Sequence, residues 1–251
     1  PKKAQALIDK GITTIAQLRE NQDELNDKQK IGLEYYEAIE QRIPREEIVR
    51  FETVLTDVFK ELGYPSASME IVGSYRRGAK DSGDIDIIMT DTTHNPDLLS
   101  RFVKKMVEMK IVIHKLTDGK TKVLAIAALP TKGAVPRRVD FLYTPPDEFA
   151  FAILYFTGSK IFNTVMRQRA LDRGYTLNEH GIYHMVSGKK GAKIDQVFPN
   201  EKSIFDFLGM EYKTPEERKD ARAVVTSSVP VVKDPVPVVK DPVPVVKKKK
   251  T

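Results

Sequence analysis

Two aspartates, Asp84 and Asp86, stand one residue apart behind a stretch rich in glycine and arginine, Gly73-Ser74-Tyr75-Arg76-Arg77-Gly78, and a further glycine, Gly83. The apolar content and alternation of residues 84–89 predict a strand. On a strand, side chains at i and i+2 share one face about 6.6–6.8 Å apart, so both carboxylates would point the same way. Two carboxylates on one face repel each other unless a cation lies between them. Hard cations with oxygen ligands, Mg²⁺ above all, meet that need. A lone Asp-x-Asp is more often a polar strand edge. The Gly-Ser turn and the two arginines upstream favour chemistry.

A third acid, Asp140, sits in Arg137-Arg138-Val139-Asp140-Phe141-Leu142. Alternation puts Arg138, Asp140 and Leu142 on one face and Val139 and Phe141 on the other. One reading is a solvent-facing acid paired with an arginine. The other is a third ligand for cations held by Asp84 and Asp86, which requires the two strands to be neighbours about 4.8 Å apart. Gly73 and Ser74 at a strand end would offer an amide and a hydroxyl to phosphate, and Arg77 charge-assisted bonds. Three aspartates can hold two metal ions roughly 3.5–4 Å apart. One ion would activate a hydroxyl and the other would stabilise a leaving pyrophosphate. These residue types point to nucleotidyl transfer.

The elements that must position these groups follow from apolar spacing. Residues 1–42 predict short helices, with Gly11 as a stop, Thr13 or Thr14 and Asn26 as caps, and Ile31, Leu33, Tyr35 and Ile39 partly buried. Such a unit suits packing or a nucleic-acid backbone. Pro44 with Glu46 and Glu47 suits the first turn of a helix carrying Val49, Val54, Val58 and Leu62 up to Gly63. A second helix over about 96–109 is apolar at Leu98, Leu99, Phe102, Val103, Met106 and Val107. Strands are expected at 111–114, 121–128 and 138–143. From Pro145 the pattern turns to helices and small strands. A helix after Thr157-Gly158-Ser159 would bury Ile161, Phe162, Val165, Met166 and Leu171 and put Asn163 and Arg167 on one face. Residues 174–179 read as a strand, Lys189-Lys190-Gly191 as a solvated turn, 203–208 as a helix, and 211–218 as a docking segment.

The chain has 251 residues, 41% hydrophobic and 30% charged, with a formal net charge of +6 and no cysteine. Disulfides and thiolate metal sites are thereby excluded, which fits an intracellular protein, nuclear or mitochondrial if the source is eukaryotic. The four histidines lack metal-ligand spacing. No apolar run approaches the roughly 20 residues of a membrane span, and Pro-Lys-Lys-Ala at the start is no signal peptide. Without an initiator methionine, the chain reads as a piece of something longer. After Ser227 it becomes a repeat of Asp-Pro-Val-Pro-Val-Val-Lys, expected to be polyproline II or disordered. Six lysines against two aspartates give that tail +4, leaving +2 for the rest. Basicity alone is therefore weak evidence for nucleic-acid binding. The local pairs Arg42/Arg45, Arg76/Arg77, Arg137/Arg138 and Arg167/Arg169 say more.

The motif from Gly73 to Gly78, with Gly83-Asp84-Ile85-Asp86, resembles the signature of the polymerase-beta-like nucleotidyltransferases. Arg137-Arg138-Val139-Asp140 and Tyr155-Phe156-Thr157-Gly158-Ser159 narrow the resemblance to the X-family DNA polymerases, nearest to the polymerase-beta branch. Residues 27–33, 42–47 and 161–167 are similar as well, so the resemblance spans about 1–225.

The resemblance implies an α+β fold. A nucleotidyltransferase palm with a mixed β-sheet flanked by helices would occupy 44–144. A helical subdomain of helix-hairpin-helix type would precede it at 1–43. A C-terminal α/β subdomain for the nascent base pair would follow at 145–226, then the tail at 227–251. It also implies a template-directed DNA polymerase that fills short gaps in base excision repair. Asp84, Asp86 and Asp140 would be catalytic and bind two Mg²⁺ ions, with Mn²⁺ as a substitute. Gly73, Ser74, Arg77, Ser82, Gly83 and Arg42 would hold the triphosphate. Tyr155, Phe156, Gly158, Lys160 and Asn163 would line the sugar and base pocket. Lys122, Arg138, Arg167 and Glu179 would serve the DNA side. Expected partners are primer-template or gapped DNA and deoxynucleoside triphosphates, with no membrane, and the chain is expected to be a monomer.

The alternatives are a template-independent or RNA-tailing nucleotidyltransferase and a non-catalytic DNA-binding scaffold. The Tyr155–Ser159 motif with the N-terminal helices speaks against the first, and the three aspartates against the second. A lyase domain precedes this region in the family. No counterpart is expected within these residues, so no lyase activity is assigned. Departures from the family pattern are Leu142 in place of an arginine, Lys160 in place of an acid, Thr164 in place of a lysine and His180 in place of a tyrosine.

Overall fold

The computed structural model describes residues 2–225, so the expectations for the repeat tail lie outside the described residues. Four short helices come first: α1 (Lys2–Asp9), α2 (Ile15–Glu20), α3 (Asp27–Glu34) and α4 (Tyr36–Ile39). Thr14 and Asn26 cap α2 and α3 in reciprocal capping boxes. Such caps matter most for helices too short to persist alone.

A two-residue strand, β1 (Ile43–Pro44), leads into α5 (Arg45–Glu61). Pro44 is the N-cap residue rather than part of the first turn, because it is paired with Asp81 across a small β-bridge. Ile48, Phe51, Leu55 and Val58 form the buried stripe of α5. Val49, also on this helix, is exposed, since it lies off the i, i+3, i+4 line through Ile48.

The central region continues with β2 (Ala67–Ile71), α6 (Gly73–Arg76), β3 (Asp81–Ser82), β4 (Ile85–Asp91), α7 (Leu98–Glu108), β5 (Val112–Asp118), β6 (Lys122–Ala127) and β7 (Arg137–Tyr143). Its five-stranded sheet has the order β2-β4-β7-β6-β5. Strands β4 and β7 are parallel and the other pairs antiparallel. Period-two alternation sorts the faces. Ile85, Ile87 and Met89 of β4, with Val139 and Phe141 of β7, enter a core completed by side chains of α5 and α7. Phe102 of α7 meets Phe59 and Phe141 edge-on, at centroid distances of 5.7 and 5.8 Å. Each such buried side chain contributes about 1.5–3 kcal/mol. A register slip would expel all of them, so this core fixes which residues face the other way: Asp86 and Ile88 on β4, Asp140 and Leu142 on β7. Val107, among the apolar positions of α7, is exposed.

The last elements are α8 (Phe149–Thr157), α9 (Lys160–Asp172), β8 (Tyr175–Asn178), β9 (Gly181–Val186), β10 (Lys189–Lys193) and α10 (Glu201–Phe207). Helix α8 is apolar on all sides because it serves two cores. Ala152 and Ile153 pack with Val72 and Ile88 of the central region, with Leu142 and Phe156 against them. Ala150, Phe151 and Leu154 join Phe162, Met166, Ile204 and Phe205 in the C-terminal core. Lys189-Lys190-Gly191, read as a turn, is the start of β10, an antiparallel partner of β9. The turn falls earlier, at Ser187 and Gly188. Ile161 and Leu171, expected inside, are exposed, because Phe162, Met166 and Ala170 at i, i+4 and i+8 take the buried line of α9.

Candidate active site

Strands β4 and β7 place Asp86 directly opposite Asp140 in register. Neighbouring strands lie about 4.7–4.9 Å apart, so the two carboxylates share one face as close neighbours. Asp84 lies in the bend just before β4. The carboxyl of Asp86 is pushed up to about 6, first by burial and then by the charge of Asp140, with Lys122 and Arg77 opposing. Burial also raises Asp140, against the pull of Arg138 and Lys122. Asp140 Oδ1 is buried and accepts no hydrogen bond; Arg138 Nε, at 3.8 Å, is too far to donate.

Gly73 has a φ of +64°, and a Cβ built on it would lie 2.6 Å from Asp86 Oδ2. Only glycine allows the turn to come this close to the carboxylate. The turn is anchored from behind. Arg45 donates to the carbonyl of Tyr75 and stacks over its ring, while the Tyr75 hydroxyl donates to Glu52 at 2.7 Å. Ser74 Oγ donates to Ser82 Oγ at 2.7 Å.

In front of this turn opens a cleft of about 730 Å³. Arg42, Gly73, Ser74, Arg77, Gly83, Asp84 and Asp86 line one side, and Tyr155, Phe156, Gly158, Lys160, Asn163, Thr164 and Arg167 the other. Four cationic side chains there, Arg42, Arg77, Lys160 and Arg167, face two carboxylates, a balance suited to a polyanion. Arg77 donates to the Thr157 carbonyl at 2.6 Å, and burial lowers its pKa, partly offset by Asp86. The Asn163 amide donates to the Tyr155 carbonyl at 2.6 Å. The Arg167 guanidinium lies 4.7 Å from the centre of the Tyr155 ring and pairs with Glu179 at 3.4 Å.

Of the residues expected to hold nucleotide, Ser82 alone does not line the cleft: it is buried and accepts a hydrogen bond from Ser74. Lys122 and Arg138, expected on DNA, lie against the carboxylates. Arg138 Nη2 contacts Asp84 Oδ2, and Lys122 Nζ is 3.7 Å from Asp140 Oδ2. Glu179 lines a second cavity of about 590 Å³ with Leu142, Glu148 and His180.

Among the described residues no three carboxylate or histidine side chains are gathered as a closed metal-ligand set. The donor chemistry nevertheless fits a hard cation. Asp140 Oδ1 is an orphaned buried acceptor, and Asp86 and Asp140 repel each other at close quarters.

The arginine doublets divide between frame and site. Arg42, Arg77 and Arg138 face the site. Arg45 braces the turn, and Arg137 makes a two-pronged pair with Glu47 at 2.7 and 2.8 Å. Arg76 bonds Thr157 Oγ1 at 3.0 Å and Glu201 at 2.8 Å. Glu201 in turn holds the fully buried Arg218 at 2.5 Å. Strand alternation separates Arg137 from Arg138, as expected for β7; nothing local marks Glu201 or Arg218.

The family model for the fingers domain of DNA polymerase lambda matches residues 1–40, that for the DNA polymerase beta palm residues 42–146, and that for the DNA polymerase beta thumb residues 152–219. DNA polymerase lambda of Arabidopsis thaliana is 34% identical over 235 residues, covering 87% of this chain and 44% of the relative. DNA polymerase lambda of Rattus norvegicus is 32% identical over 229 residues, covering 86% of this chain and 40% of the relative. The chain thus spans less than half the length of these relatives. With fingers, palm and thumb matched in order, and the palm carrying Asp86 opposite Asp140 beside the Gly73 turn, the chain belongs to the X family of DNA polymerases.

Proposed function

We propose that this chain is the polymerising unit of a template-directed DNA polymerase, adding a deoxynucleotide to a primer 3′-hydroxyl and filling short gaps of the kind left in base excision repair. The observation that carries the reading is the register pairing of Asp86 with Asp140 beside the Gly73 turn, at a cleft of about 730 Å³. That volume is within the roughly 300–1,000 Å³ of small-ligand pockets.

Ser74, Arg77, Gly83 and Arg42 would bind the triphosphate, with the Gly73 backbone approaching closely. Tyr155 and Phe156, packed edge-on at 5.0 Å, would shape the sugar pocket with Gly158. Asn163 and Lys160 would meet the incoming base, and Arg167 the template strand. Asp140 Oδ1, the buried acceptor without a partner, is available to the attacking hydroxyl. Asp84, Asp86 and Asp140 would hold two Mg²⁺ ions, or Mn²⁺ in their place, which when bound make the hydroxyl a better nucleophile and neutralise charge on the departing pyrophosphate.

Extension assays on gapped, nicked and single-stranded DNA, run side by side with Mg²⁺ and deoxynucleotides, test the proposal. Extension that follows the template and is strongest on the short gap is expected. Addition without a template, or no extension on any substrate, would contradict it.

A further inference from the structure

We propose that Arg138 is a positioning residue that serves as the internal counter-ion of Asp84 and Asp140, so that a divalent cation competes with its guanidinium for the carboxylates, and cation binding and DNA binding favour each other through its release. The inference rests on the reading of the three aspartates as cation ligands.

Arg138 stands two residues before Asp140 on β7, and the two share a face of the sheet. Its Nη2 contacts Asp84 Oδ2, and its Nε lies 3.8 Å from Asp140 Oδ1. The guanidinium therefore spans two of the three carboxylates. Lys122 approaches the other oxygen of Asp140, 3.7 Å from Oδ2.

A divalent cation taking Asp84 Oδ2 as a ligand needs the lone pairs that Arg138 occupies, and like charges cannot share that space at low cost. The guanidinium has to move. It is free to do so, because its side chain is 47% exposed, whereas that of its neighbour Arg137 is 5% exposed and clamped by Glu47. Arginine in such a position is suited to phosphate once released. Filling the carboxylates with a cation thus frees a phosphate ligand, and a phosphate that draws Arg138 away opens Asp84 to the cation. Linkage makes the effect reciprocal.

The test uses the full chain and Mn²⁺ as the probe, with free Mn²⁺ followed by its paramagnetic resonance signal. Titrations without DNA compare the unaltered protein with Arg138→Gln, and are repeated with a one-nucleotide-gapped duplex. Without DNA, Arg138→Gln is expected to bind Mn²⁺ at least about fivefold tighter, the lower end of usual coupling strengths. Gapped DNA is expected to raise Mn²⁺ affinity in the unaltered protein and much less in the variant. An equal or weaker Mn²⁺ affinity in Arg138→Gln would overturn the proposal. The unaltered chain gives a second check that does not depend on the variant's folding: its affinity for the gapped duplex must rise with Mn²⁺ by the factor seen in the metal titration, and no rise overturns the coupling. Asp86→Asn separates this proposal from the reading beneath it. Mn²⁺ binding unweakened by Asp86→Asn would overturn the aspartate site itself. Binding lost in Asp86→Asn but unchanged in Arg138→Gln would overturn only the role of Arg138.

Discussion

A methyl group on Gly73 would sit 2.6 Å from Asp86 Oδ2, closer than any real Cβ contact, on a backbone with φ of +64°. Gly73→Ala must therefore push the Asp86 carboxylate aside or shift the turn. Displacements of this size near reacting groups cost on the order of 100-fold in rate. Single-nucleotide incorporation by Gly73→Ala is expected to fall by about that factor. Incorporation within about threefold of the unaltered protein would contradict the close approach.

Asp86 supplies a pH dependence whose sign can be worked out. Its folded pKa is about 6, raised first by burial and then by Asp140, against an ordinary value of 3.8. Between those values the folded state holds a proton that the unfolded chain has released, so this group's contribution to stability falls as pH rises through the window. In the presence of a chelator, Asp86→Asn is expected to raise Tm near pH 7.5 and to give no gain at or below about pH 3.8. Thermal melts across pH check this. A gain of the same size at both ends would contradict it.

Glu201 holds together residues far apart in the chain. It bonds Arg218 Nη1 at 2.5 Å and Arg76 Nη2 at 2.8 Å, and Arg218 is fully buried. For Arg76, burial alone would lower the pKa, but Glu201 and Glu70 outweigh it. Replacing Glu201 by Gln removes the ion-pair partner of the buried Arg218 and leaves Arg76 with Glu70 alone. Breaking a buried pair from one side costs about 3–5 kcal/mol. Urea unfolding of Glu201→Gln should show a loss of that order, and a loss below about 1 kcal/mol would contradict the network's role.

Leu142 faces the second cavity, of about 590 Å³, whose walls include Glu148 and Glu179. An arginine introduced there has room and two carboxylates within the same cavity. Leu142→Arg is expected to change stability by less than about 1.5 kcal/mol, as tolerated substitutions do. Combined with Glu148→Gln and Glu179→Gln it is expected to cost more, because a charge is then left without a partner. Urea unfolding of the single and triple variants decides. A large loss in the single variant would contradict the accommodation.

Much of this arrangement was legible before the fold was known, and the rest had a physical reason to be hidden. Asp86 and Asp140 carry their facing in the alternation around them, and the apolar residues between them fix it. The requirement that their strands be neighbours could be stated but not met from spacing alone, since parallel pairing joins segments separated by a helix and two strands. Thr14 and Asn26 were readable as caps because capping is local. The wrong burial at Ile161 and Leu171 came from taking every apolar residue as inward, although one stripe per helix is enough. Lys189 to Gly191 look polar enough for a turn, but β10 is an edge strand paired on one side with β9, where lysines are tolerated. Arg76, Glu201 and Arg218 were hidden because an ion pair across 125 residues leaves no local trace.

The most direct test of the central claim is single-turnover incorporation of one deoxynucleotide into one-nucleotide-gapped DNA with Mg²⁺, comparing the unaltered chain with Asp140→Asn. The side chain keeps its size and loses its charge, on the strand position that faces Asp86. Template-matched incorporation by the unaltered chain is predicted, with a fall of at least about 100-fold in the variant and little change in the affinity for gapped DNA. Incorporation by Asp140→Asn at the unaltered rate, or its absence from the unaltered chain, would contradict the account.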